Sequence, residues 1–178
     1  LNTLTLAALL GVVPRPCLGQ EITLTPKMHH LRNVGDREWA DFPAKAESDA
    51  LELKFTLRES GADWTLRFRQ EDIKQDWRVK LNGKELGKLH RDEIDMRVSL
   101  AIAPGVLRQG ENVLRIESAS QRGPDDIRVG EIRLVSGKRE DILSEATLKV
   151  VVYDDTQKPT GTPCRITIVD QGGSLVET

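Results

Sequence analysis

The sequence predicts an all-β chain folded as an antiparallel β-sandwich. Three observations predict it. Apolar and polar residues alternate in run after run, turn-forming residues punctuate the runs at sandwich-like spacing, and no long stretch carries a helical period. About seven or eight short strands follow from this pattern, and two sheets packed face to face would bury their apolar rows.

"EITLT" (21–25) opens as a strand, and a long irregular segment with Pro26, Gly35 and Pro43 is expected up to residue 50. "LELKFTLR" then sets Leu51, Leu53, Phe55 and Leu57 on one face and Glu52, Lys54, Thr56 and Arg58 on the other. After a turn at Glu59-Ser60-Gly61, Trp64, Leu66 and Phe68 alternate with Arg67 and Arg69. "WRVKLNGKELGKL" (77–89) is strand, turn, strand. Asn82-Gly83 suits the two-residue hairpin turn whose central residues take positive φ, which makes it a fold-specifying turn rather than a ligand tip. One short helical turn is expected within 85–95, on the spacing of Leu86, Leu89 and Ile94.

"DMRVSLAI" (95–102) alternates through Met96, Val98, Leu100 and Ile102, and Leu114 and Ile116 face inward in the next strand. In "DDIRVGEIRLVSG" the apolar positions are Ile127 and Val129, then Ile132 and Leu134, so Gly130 marks a bulge. From about Ile142 a second β unit is expected, with Leu148, Val150 and Val152 sharing one face and Cys164, Ile166 and Ile168 another. One hairpin and a half is too little to stand alone, so these strands either complete the first sandwich or, the favoured expectation, open a second domain.

The ends and the charge set the broad class. Leu4 to Val13 is an apolar run long enough for a signal-peptide core and too short to span a bilayer. A cut after Gly19, with Cys17 two positions earlier, would make 1–19 a signal peptide whose start is missing, 20–140 the sandwich, and 141–178 the start of a second, truncated β-domain. A secreted or periplasmic location is expected, and Cys164 would then have no partner for a disulfide. With 30% charged residues, 38% hydrophobic and a formal net charge of −2, no basic excess exists to neutralise phosphates, so nucleic acid is not expected as a partner.

Two stretches carry a resemblance. Val79, Leu81, Asn82, Gly83, Lys84, Leu86 and Gly87, followed by Leu107, Gly110, Asn112, Leu114 and Ile116, resemble the framework of galactose-binding-like (jelly-roll) modules of secreted bacterial hydrolases. The match covers roughly 48–135. Val150, Val152, Asp154, Gly161, Pro163, Ile168, Asp170 and Gly173 are similar to the opening of a carboxypeptidase-regulatory-like or transthyretin-like β-domain. The resemblance implies a non-catalytic accessory module that binds carbohydrate or orients a neighbouring domain. It also implies a catalytic domain, such as a PHP-type metallohydrolase, beyond Thr178. The competing expectation is a structural or protein-interaction sandwich without a small ligand.

Candidate chemistry is sparse. The chain has no G-x-S-x-G, G-x-G-x-x-G or P-loop motif, so no catalytic residue is expected. His29 and His30 point to opposite faces of any strand, His90 is isolated, and all three are expected in solvated loops rather than around a metal. "HRDEID" supplies Asp92 and Asp95, and "GPDD" supplies Asp125 and Asp126. These are the candidate ligands of a structural calcium, against the plainer expectation of charged solvent-facing loops. Trp64 and Trp77 belong to apolar rows and are expected in the core. Trp39, with Arg37 and Asp41 beside it, is the candidate ligand-binding aromatic, unless it only caps one end of the sandwich.

Overall fold

A computed structural model describes residues 20–58, 63–120, 122–143, 167–169 and 171–175. Eight strands follow one another: β1 (Glu21–Arg32), β2 (Ala50–Leu57), β3 (Trp64–Glu71), β4 (Trp77–Leu81), β5 (Lys84–Lys88), β6 (Met96–Ile102), β7 (Gly110–Ser118) and β8 (Asp126–Ser136). A short helix, α1 (Arg139–Leu143), comes after them. One sheet has the order β1-β8-β3-β6 and the other β2-β7-β4-β5, with every named pair antiparallel. The chain crosses between sheets at most connections, which is the jelly-roll form of a β-sandwich.

The alternation sets which residues meet between the sheets. Leu66, Phe68, Ile127, Val129, Ile132 and Leu134 from the first sheet pack against Trp77, Val79, Leu81, Leu114 and Ile116 from the second. Trp64 and Trp77 are both buried, as their rows predict. Asn82 and Gly83 have φ of 51° and 79°, the positive pair a tight hairpin needs. The Asn82 side chain also donates to Val106 O and Asn112 Oδ1 and accepts from the Val113 amide, fastening the turn to the β6–β7 connection and β7.

Three expectations change. β1 does not stop at Thr25; it runs twelve residues to Arg32. Pro26 is tolerated because β1 is an edge strand, pairing with β8 alone among the named strands, and its register slips between Thr25 and Met28. Residues 85–95 form no helical turn: β5 uses Lys84–Lys88 to pair with β4, and an irregular segment leads to β6. The third change is α1, which no apolar period announces.

The bulge at Gly130 is present. β8 slips register against both neighbours there, and Glu131 takes a φ of 47°. A Cβ on Gly130 would lie 2.0 Å from the Lys27 carbonyl oxygen, so the crossing of β1 over β8 requires glycine.

Part of the expected second β unit is described. The Leu175 amide donates to Asp95 O, Leu175 O accepts from the Arg97 amide, and Val169 bridges Leu175. This segment therefore lies along the β6 edge of the first sheet. Cys17 and the 1–19 segment, the turn at 59–61, and the strands read around Val150 and Cys164 lie outside the described residues.

Candidate functional site

The connection from β1 to β2, residues 33–49, lies at one end of the sandwich and holds Arg37, Trp39 and Asp41. All three side chains are exposed, Trp39 to 58%. The Phe42 amide donates to Trp39 O at 3.2 Å, closing a turn that carries the indole at its start. Phe42 itself is buried against the His30 ring and the Arg128 guanidinium, which are cross-strand neighbours of β1 and β8. Phe42 is therefore the aromatic the loop buries, and Trp39 is left facing solvent.

Charged anchors hold the loop. Arg32 donates from Nη1 to Ala44 O and from Nη2 to Pro43 O, while its Nε donates to Asp126 Oδ1 at 2.8 Å. Asp126 Oδ2 accepts from the Glu38 amide at 2.8 Å, and Glu38 Oε2 in return accepts from the Asp126 amide. His30 Nε2 donates to Asp126 Oδ1 at 2.6 Å. Arg37 makes one longer contact, 3.4 Å to Phe42 O. Asp41 projects from the exposed part of the turn. The loop is thus tied at residues 38, 42, 43 and 44, on either side of the indole.

Burial alone would raise the Asp126 carboxyl. The hydrogen bonds from the Glu38 amide, His30 and Arg32, together with the Arg32 charge, outweigh it and hold the group below its ordinary value. Asp125 goes the other way. Burial pushes it up, and the bonds from Trp77 Nε1, the Gln75 amide and the Lys74 amide do not cancel the shift. The "GPDD" stretch is accordingly not a solvated loop: Asp125 and Asp126 both have 0% exposure.

The four candidate calcium ligands do not come together as a site. Asp125 serves Trp77 and the Lys74 and Gln75 amides, and Asp126 serves Arg32, His30 and the Glu38 amide. Asp95 is paired with Arg69 and accepts from Ser174 Oγ, and the Asp92 carboxylate, in the β5–β6 connection, accepts from the Ile94 amide. Calcium needs six to eight oxygens free of competing cations, and among the described residues no group of three or more potential ligands could hold a metal. The donor set does not fit the ion.

The histidines are not in solvated loops either, apart from His90, which is exposed. His29 and His30 lie in β1, where His29 meets Thr25 Oγ1 and Glu47 Oε2, each at 3.0 Å. His30 Nδ1 is buried without a hydrogen-bond partner among the described residues.

No family model matches the sequence, and no curated protein matches it. Among solved structures, the chain is similar to the CBM36-1 domain of a multidomain xylanase from the hindgut metagenome of Trinervitermes trinervoides. The TM-score is 0.38 at 11% identity, over 66% of this chain and 98% of that one. It is similar to a family 35 carbohydrate binding module from Clostridium thermocellum (TM-score 0.34, 11% identity, 66% and 99% covered). A third similar structure is a carbohydrate-binding module, CBM36, in complex with calcium and xylotriose (TM-score 0.36, 10% identity, 65% and 97% covered). The jelly-roll assignment itself rests on the strand pairings of this chain.

Proposed function

We propose that this chain is a non-catalytic carbohydrate-binding module whose site is the 33–49 loop, with Trp39 as the stacking platform and Arg37 and Asp41 as polar contacts. One observation carries this reading: a large indole is exposed on a turn that charged anchors hold in place. An apolar ring held outward costs nothing to reorganise when a sugar face stacks on it, and flanking guanidinium and carboxylate groups suit hydroxyls. On the same reading the module, 20–140, is exported ahead of a second β-domain and accompanies a hydrolase.

The test is a titration of the full chain with oligosaccharides chosen from a glycan array, with calcium and with chelator. Trp39→Ala is expected to weaken binding at least about tenfold and to leave stability within about 0.5 kcal/mol. Because the four candidate aspartates are held by different partners and do not converge on one ion, the two titrations should coincide. Binding that survives Trp39→Ala would remove the loop as the site.

A second reading, a module that orients a neighbour without a small ligand, draws on the other exposed apolar side chains. Ile94 and Val169 are 45% and 51% exposed, and both border the segment paired to the β6 edge.

A further inference from the structure

We propose that the outer face of the first sheet carries a second binding site, an oxyanion site centred on Arg67. It stands independently of the Trp39 loop. Phe68 and Val98 point into the core, so their strand neighbours Arg67 on β3 and Arg97 on β6 point outward. The register sets Arg67 directly opposite Arg133 of β8, and Arg69 directly opposite Arg97. Like charges facing across a ladder destabilise it unless something neutralises them.

The face neutralises all but one of these charges. Arg133 pairs with Glu21 at 3.1 Å, and Arg128 pairs with Glu71 at 3.2 Å. Arg69 holds Asp95, and it shares Glu131 with Arg97, at 2.8 and 3.3 Å. Arg67 makes no ion pair or hydrogen bond with any of them among the described residues. Its guanidinium is half-buried in a shallow depression lined also by Phe68, Val98, Arg97 and Arg133 and by two carboxylates, Glu21 and Glu131, which Arg133 and the Arg69–Arg97 pair already engage. The Arg67 fork of N–H donors, with no acceptor of its own while the neighbouring guanidiniums have theirs, matches a planar or tetrahedral oxyanion. The occupant would be a carboxylate or sulfate group, either free or carried on an acidic glycan lying along the sheet. Such a group would also relieve the Arg67–Arg133 repulsion.

This site lies away from the 33–49 loop. That loop leaves β1 at Arg32, which faces Asp126 at the start of β8, whereas Arg133 is near its end. The two sites can therefore be tested separately.

The experiment titrates the full chain with sodium sulfate, with oligogalacturonate and with a neutral oligosaccharide, against sodium chloride at matched ionic strength. Readouts are calorimetry and the Arg67 Nε–Hε resonance. The wild type should show a saturable shift with at least one anion and none with the neutral sugar or chloride. Oligogalacturonate acting at lower concentration than sulfate would make the occupant a glycan, and sulfate alone would make it a free ion. Arg67→Gln should lose at least about tenfold in affinity, and Arg67→Lys, which keeps the charge without the fork, should fall between. Without anion, Arg67→Gln should melt at or above the wild-type temperature, because it removes a repulsion. No saturable response in the wild type, or an equal response in Arg67→Gln, would overturn the site. Loss of Trp39 binding would leave it standing.

Discussion

Two adjacent aspartates respond to acid in opposite directions. Asp126 has a carboxyl held below the ordinary 3.8, so it adds stability above that value and loses it as pH falls through the lower folded value. Asp125 is raised above 3.8, chiefly by burial, so the folded state binds its proton more tightly than the unfolded chain does. Its charge therefore subtracts stability as pH rises past the ordinary carboxylate range. Asp126→Ala would strand the buried Arg32 guanidinium and the Glu38 amide, and should cost about 3–5 kcal/mol at neutral pH. It should also flatten the loss of stability between neutral pH and about pH 3. Urea unfolding at both pH values checks the two statements. The sequence could show Trp39 outside any apolar row, and Trp64 and Trp77 inside one. It could not show that the "GPDD" acids turn inward, because the groups that satisfy Asp126 come from positions as distant as Arg32 and an ion pair leaves no periodic trace.

Among the elements, β8 bears the tightest constraint. Gly130 meets backbone atoms of the neighbouring strand, Lys27 O at 2.0 Å and Met28 Cα at 2.6 Å from an added Cβ, and neither can swing aside as a side chain could. Gly130→Ala should therefore cost about 3 kcal/mol or more, read as a shift of the urea midpoint at unchanged m-value. The bulge was legible because the apolar rows on either side of Gly130 differ in parity. The full length of β1 was not. Proline argues against a strand interior, and only the pairing partner reveals that Pro26 sits at a register slip on an edge. The hairpin at Asn82-Gly83 was legible in both position and role, since its geometry is dictated locally.

For the whole molecule, the order 1-8-3-6 against 2-7-4-5 joins strands far apart in sequence, and alternation alone does not specify which strand neighbours which. The resemblance at 79–87 and 107–116 implied the jelly-roll class but named no strand order. The same map shows one edge covered by the chain's own later segment. The Arg97 amide donates to Leu175 O, and Ser174, buried, donates to Asp95. A chain ending at residue 143 should fold and lose this cover. Hydrogen exchange should show the Arg97 amide protected in the full chain and fast in the shortened one, with β3 and β8 unchanged. The shortened chain should also associate more readily through the bared strand.

The loop at 33–49 separates what holds it from what it displays. Arg32, Glu38, Phe42 and Asp126 do the holding, while the side chains at positions 36, 39, 40 and 41 face outward and brace nothing buried. Those four positions can be exchanged without renegotiating the scaffold. The sandwich is thus a chassis on which new specificities can be drafted at one turn, by natural drift or by a library, while folding is left to residues the library does not touch.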